Sequence, residues 1–469
     1  MPARTTTIFS CLLLTAAAYA DGQLLSSPSP AQDDLFGVTM SGTGLRVAIS
    51  AIWDDTTAGI DRGSVFMYER TPSGPWILTQ TLEAPESANF DYFGSTLDLV
   101  GTRLLATSYR ADVNGQVDRG AADIFEWNGG VWQHAQRLLA ADGEEGDYFG
   151  SSGAIDGDTL VVTARYDDVA GRQDQGSAYV FRRNTSGTWQ QAQQLVDPSG
   201  AASDVFGFDV ALRGDTIFVG ALWDDVGTHV NQGSVSVFRR QSDGTFSFLQ
   251  RLVAPDGTAH NEFGTRVHAV GNYVFCGSPN AVVGGEFGRG AVYAYRRAAD
   301  GTFVFAGKLV SADGHTSDGM ASSIDDEAGL IAVGAFGTNV GGIAGAGAVH
   351  LFRRNLAGEW LGVATVAGSA AAGSGVSITS FGSSVCLAAD GLIVGAYTST
   401  VNGQNNAGCA QAFSVGSATD LTLDGLVNGQ DLAALLGLMG STEPTAADID
   451  FSGTVDSADL TLVLAAWGT

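Results

Sequence analysis

The chain has 469 residues, 64 of them Gly, with 23 Lys+Arg against 50 Asp+Glu and a formal net charge of −27. Gly stands at about twice its usual share, and Lys308 is the only lysine. So acidic a chain, with no basic run, excludes nucleic acid and anionic membrane as natural partners; its 45% hydrophobic content excludes a disordered acidic tail; Gly without a three-residue period excludes collagen.

The first residues read as a secretory signal: Arg4, an apolar stretch from Ile8 through Leu12, Leu13 and Leu14 to Ala18, then the small-x-small site Ala18-Tyr19-Ala20. The signal is expected over residues 1–20, which places the protein outside the cell with Asp21 at its mature end. No later segment is long and apolar enough to span a membrane. Beyond Cys11, the chain keeps Cys276, Cys386 and Cys409. An odd number without close spacing is no disulfide framework, so these are expected as small buried strand residues.

From there one pattern organises the chain. Phe-Gly recurs at Phe36-Gly37, Phe93-Gly94, Phe149-Gly150, Phe206-Gly207, Phe263-Gly264 and Phe381-Gly382, and Gly319-Met320 fills the gap before the last. The second residues, at 37, 94, 150, 207, 264, 320 and 382, are 56 or 57 residues apart, and 62 at the last step. A period this long means a propeller or solenoid. Each copy holds four short β-branched and aromatic runs with Gly, Asn or Asp turns between them. In the third copy strand A follows Gly150, B is Thr159–Ala164, C is Ser177–Phe181, and D starts at Trp189 and ends near Val196. Four strands per repeat predict a propeller blade. The last copy lacks strand D. Gln23-Leu24-Leu25 before Phe36 matches Gln194-Leu195-Val196 before Phe206, so the N-terminal strand is expected to complete the seventh blade.

Phe-Gly, Gly-Ala at the end of strand B (Gly220-Ala221, Gly334-Ala335, Gly395-Ala396) and Gly-Ser or Gly-Ala before strand C resemble the FG-GAP repeats of integrin-α-like propellers. The resemblance covers residues 21–416 and implies an all-β, seven-bladed propeller. Calcium-binding members of that family carry an Asp-rich loop between strands A and B. Here that connection is a tight turn such as Asp156-Gly157-Asp158, or Arg213-Gly214-Asp215 in the fourth copy.

Loops alternate between the two faces of such a ring. The B–C and D–A loops share an acidic face, with Asp54, Asp55, Asp112, Asp167, Asp168, Asp224 and Asp225 in B–C loops of the first four blades. Trp53, Tyr166 and Trp223 directly precede Asp pairs, so Trp53, Asp54, Asp55, Tyr166, Asp167, Asp168, Trp223, Asp224 and Asp225 form a candidate ligand set. Aromatics beside carboxylates stack on sugar rings and accept their hydroxyls; they also serve as loop anchors, and Asp structures turns. Three histidines, His229, His260 and His315, fall on this face. The opposite face carries Arg182-Arg183, Arg239-Arg240, Arg296-Arg297 and Arg353-Arg354 where strand C ends.

After Gly416 the pattern changes to a duplicated twelve-residue loop. The first places Asp420, Thr422, Asp424, Leu426 and Asp431, and the second Asp448, Asp450, Ser452, Thr454 and Asp459, at the positions 1, 3, 5, 7 and 12 from which an EF-hand-type loop draws its calcium ligands. Each loop enters a helix with an apolar stripe, Leu432, Leu435, Leu436 and Met439, then Leu460, Val463, Leu464 and Trp467. Two loop–helix units with Asp at position 12 resemble a type I dockerin over residues 417–469. The resemblance implies calcium as cofactor and a cohesin-like or other protein partner. The partner-facing positions 10 and 11 hold Gly429-Gln430 and Ser457-Ala458 in place of the family's common Ser-Thr.

The sequence therefore points to a secreted, non-catalytic binding or scaffold protein. Its propeller face takes a glycan or an extracellular protein, and its tail attaches to a partner. The competing expectation is an extracellular carbohydrate-active enzyme, a hydrolase or lyase, with its site on the acidic face. A pocket joining His229, His260 and His315 to carboxylates would favour the enzyme.

Overall fold

The computed structural model describes residues 22–72, 74–370, 374–388, 391–415, 419–422 and 426–467. The expected signal peptide and Asp21 lie outside the described residues. Seven four-stranded antiparallel sheets follow one another along the chain. Blade 1 runs from Met40–Thr43 to Ile77–Leu82, blade 2 from Leu97–Val100 to Trp132–Leu138, and blade 3 from Phe149–Asp156 to Trp189–Leu195. Blade 4 runs from Phe206–Arg213 to Phe246–Leu252, blade 5 from Arg266–Val270 to Phe303–Leu309, and blade 6 from Ile324–Glu327 to Trp360–Ala367. Blade 7 joins Ser384–Ala388, Gly391–Ala396 and Cys409–Ser414 to the N-terminal strand Gln23–Leu25. Strand A of each blade lies against strand A of the next, blade 7 against blade 1 included, so the ring is a closed seven-bladed propeller.

The Phe-Gly pair explains itself at each junction. The Phe side chains are fully buried, as is Met320. Each Phe N–H donates to a carbonyl just before strand C of the preceding blade, for example Phe149 to Arg119 and Phe206 to Gln175. The glycine that opens that strand C (Gly120 and Gly176 in those cases) sits at φ 87° and 84° with its Cα against the Phe backbone, where a Cβ would collide with the carbonyl oxygen. One hydrophobic cluster then fills each of the seven junctions.

Two registers differ from expectation by one residue. In blade 6 Met320 takes the Phe place, since its N–H bonds Arg289 O and it bridges Gly290, so Ala321 at φ 81° takes the Gly place. The N-terminal strand aligns Gln23 with Gln193 rather than Gln194. Gln23 Nε2 donates to Trp76 O at 2.7 Å and its Oε1 accepts Trp76 N–H at 2.8 Å, as Gln193 does with Phe246 at 2.7 and 2.8 Å. Gln80, Gln136 and Gln250 grip Trp132, Trp189 and Phe303 in the same way. Strand D of one blade is thus clamped to the start of strand D in the next.

The A–B connections in blades 1–6 are two-residue turns, such as Gly157-Asp158 between Asp156 and Thr159. In the Arg213-Gly214-Asp215 turn the Asp215 carboxylate accepts two bonds from Arg297 of the next blade at 2.8 and 2.7 Å. Cys276, Cys386 and Cys409 are buried and free, as expected.

Two helices, Gly429–Gly437 and Ser457–Ala465, end the chain, each opened by a capping box, Asn428 with Asp431 and Asp456 with Asp459. Leu435 and Val463 enter a small core with Leu421, Val427, Ala447, Ile449 and Val455. Leu460 packs partly buried against that core, whereas Leu436, Met439, Leu464 and Trp467 of the expected stripes are exposed. So small a core leaves the outer side of each nine-residue helix uncovered. The segment before the second helix seats on the propeller. Phe451 packs among Tyr273, Phe275 and Trp360, and its carbonyl accepts Asn272 N–H at 2.8 Å. Arg354 stacks over Phe451 and donates to the Asp448 carbonyl at 2.9 Å and its carboxylate at 3.3 Å.

Candidate functional site

The acidic face is built largely from carboxylates with structural work. The second Asp of each B–C pair accepts the N–H six residues on: Asp55 from Asp61, Asp168 from Asp174, Asp225 from Asn231, and likewise Asp112 from Asp118. That bond closes the loop around a left-handed residue, for Asp61, Asp118, Asp174 and Asn231 all have φ near 50°. The first Asp ties the loop to strand C. Asp167 accepts from Ser177 and, at 2.9 Å, from Tyr179, while Asp224 bonds Ser234 and pairs with Arg251. Burial raises the Asp54 carboxyl pKa, against the opposing influence of the Ser64 hydroxyl. In the D–A loops Asp34 and Asp147 each accept an N–H three residues back at 2.6 Å. Burial pushes both up to about 6.

The aromatics of the candidate set behave differently. Trp53 and Tyr166 are the two ends of a continuous arc across blades 1–3. Ring centroids lie 5.8 Å apart from Trp53 to Tyr92, 6.2 Å to Tyr109, 5.4 Å to Tyr148 and 5.1 Å to Tyr166. Contacts of this length are worth about 0.5–1.5 kcal/mol each beyond burial, so the arc is a preformed surface. Two cations sit in it. Arg110 lies 5.4 Å over Tyr92 and bonds Asp118 at 3.1 and 3.2 Å. Arg165 lies 5.1–5.7 Å from the rings of Tyr109, Tyr148, Tyr166 and Phe208, and among the described residues it makes no ion pair. An open pocket of about 440 Å³ ends the arc, lined by Val117, Asp118, Glu145, Gly146, Tyr148, Tyr166, Asp174 and Trp223. Trp223 is 39% exposed there. The pocket offers three ring faces and three carboxylates to one ligand.

A family profile described as FG-GAP repeat matches residues 132–181 and 189–238. The chain carries FG-GAP repeats. Each match runs from strand D of one blade to strand C of the next, across one blade junction. No curated protein matches the chain. No helix among the described residues is long and apolar enough to cross a membrane.

Of the residues expected at the ligand face of the FG-GAP propeller, Tyr166 and Trp223 line the pocket and Trp53 lies at the far end of the arc; Tyr92, Tyr109, Tyr148 and Arg165 were not among those expected. Tyr92 and Tyr148 directly precede Phe-Gly, which was a usable signal. His229, His260 and His315 are not brought together: among the described residues they belong to no cluster that could hold a metal, and the His229 ring bonds Gln232 at 2.9 Å. The Arg pairs of the opposite face stitch blades, as Arg183 to Glu126 at 2.7 Å and Arg297 to Asp215 do.

In the second C-terminal loop, carboxylate oxygens of Asp448, Asp450 and Asp459 lie within 4.8 Å of one another, a spacing that fits a hard cation held by oxygen. Asp459 is oriented by the N–H groups of Ile449 at 2.6 Å and Asp456 at 2.9 Å. Ser452 and Thr454, the other expected ligands, lie exposed and half-buried on the same turn. In the first loop Asp431 accepts from Thr422 N–H at 2.9 Å, Thr422 Oγ1 at 3.0 Å and Asn428 N–H at 2.8 Å. Asp420 is half-buried and Leu426 exposed. Asp424 lies outside the described residues.

Proposed function

We propose that this FG-GAP propeller is a secreted, non-catalytic binding scaffold whose blade 1–4 loop face holds a glycan or an extracellular protein. One observation carries the reading: the preformed aromatic arc that ends in an open pocket with Tyr148, Tyr166 and Trp223 beside Asp118, Glu145 and Asp174. Ring faces supply sequence-independent contact with sugar C–H surfaces, and the carboxylates accept hydroxyl hydrogen bonds. Arg165, half-buried among rings, sets the arc's shape without consuming a pocket carboxylate.

The tail, in this reading, is a dockerin-like module of residues 417–469 that binds calcium and attaches the protein to a cohesin-like or other partner. Asp448, Asp450, Ser452, Thr454 and Asp459 would hold one ion; Asp420, Thr422, Asp424, Leu426 and Asp431 would hold a second. Calcium would neutralise the converging carboxylates and fix the loop that Phe451 anchors to blades 5 and 6. No observation comparable to the pocket supports the carbohydrate-active enzyme. An array of glycans and extracellular proteins probed with the full chain tests the binding reading. Turnover of a polysaccharide, with no retained ligand, would replace it with the enzyme.

A further inference from the structure

The inner strands carry a second feature, away from the ligand face. Strand A of every blade faces the central axis, where its edge N–H groups have no further strand to pair with. Side chains from the preceding blade cap them. Ser41 accepts Leu99 N–H at 2.9 Å, Asp98 accepts Ile155 N–H at 2.7 Å, Asp209 accepts Val267 N–H at 2.8 Å, and Asp325 accepts Leu387 N–H at 2.7 Å. The pattern changes between blades 5 and 6. There His268 meets Asp326 side chain to side chain, Nε2 to carboxylate oxygen at 2.7 Å, with the Asp325 carboxylate 3.9 Å from the same nitrogen.

We propose that His268, Asp325 and Asp326 form a binding site for a divalent first-row transition ion in the propeller's central channel. Their ligand atoms all lie within 4.8 Å of one another. Bonds of about 2.0–2.2 Å to one ion set ligand atoms roughly 3 Å apart, and the 2.7 and 3.9 Å separations bracket that value. One imidazole with two carboxylates suits zinc or manganese better than calcium, which takes oxygen alone. Two ionised carboxylates and a neutral ring balance a double positive charge. The second oxygen of Asp325 is held by the Leu387 N–H, so the ligand is oriented from blade 7. A quarter of the His268 and Asp325 side chains stays open to the channel, leaving room for water to complete the coordination. The ion would staple blades 5 and 6, where strand D lacks the Gln clamp because Gly307 lies under Trp360.

Zinc titrated calorimetrically into the calcium-saturated full chain should occupy one site. Binding should weaken roughly tenfold or more in Asp326→Asn, which keeps an acceptor for His268, and in His268→Gln. It should be unchanged in Asp450→Asn, which alters the C-terminal loop instead. Anomalous scattering at the zinc edge from wild-type crystals grown with zinc needs no variant and should peak between blades 5 and 6. No zinc bound by the wild-type chain, equal binding in all three variants, or an anomalous peak only elsewhere would overturn the site.

Discussion

Ala321 stands where six other blades place Gly, at φ 81°. A left-handed backbone costs an L residue about 1 kcal/mol, so Ala321→Gly should raise unfolding stability by about that much in a denaturant titration. The reverse change, Gly176→Ala, puts a Cβ into the Phe206 carbonyl at φ 84° and should cost about 2 kcal/mol or more, read the same way. The blade 6 register was illegible for this reason. Gly319-Met320 offers a Gly beside a large apolar residue in the wrong order, and the hydrogen bond to Arg289 with the bridge to Gly290 identifies Met320 as the Phe equivalent. That Asp structures the acidic loops was legible, but not which Asp closes which loop, because the partners of Asp55, Asp168 and Asp225 are backbone N–H groups that no side-chain pattern displays. Asp215 gives a pH test. Its hydrogen bonds from Arg297 outweigh partial burial and hold its pKa at about 2, below its ordinary 3.8. The stabilisation is therefore present above about pH 4 and is lost as pH falls through about 2. Asp215→Asn should cost about 1 kcal/mol at neutral pH, and the difference from wild type should vanish near the acid end of that window.

Strands were the most legible elements. Thr159–Ala164 and Trp189–Leu195 follow from β-branched and aromatic runs between Gly and Asn turns. The glutamine clamps were hidden, since Gln80, Gln136, Gln193 and Gln250 read as the polar side of alternating strands. Each clamp satisfies two backbone groups at once. Gln136→Ala removes the bonds to both Trp189 N–H and its carbonyl and should cost about 2 kcal/mol, seen as a lower Tm. Gln23 makes the same clamp across the ring closure. A chain starting at Phe36 should therefore lose stability throughout the ring, not only in blade 7, and its melting should begin well below that of the full chain.

At the scale of the whole molecule, the closed ring and the tail are one assembly. Phe451 sits in the blade 5–6 cluster and is 1% exposed, and Arg354 reaches Asp448 in the second loop. That contact was invisible in the sequence, where Arg353-Arg354 and Asp448 belong to different repeats. Phe451→Ala should cost about 3–5 kcal/mol, measured as unfolding of the propeller. If the second loop binds calcium, chelation should lower the Tm of the propeller too. Once a retained ligand is known, titration of it into wild-type protein and into Tyr166→Ala/Trp223→Ala tests the ligand face. The ligand-face assignment requires that the double variant lose roughly tenfold or more in affinity, given about 2 kcal/mol or more for a truncated aromatic anchor, while keeping its Tm. Undiminished binding by that variant would contradict it.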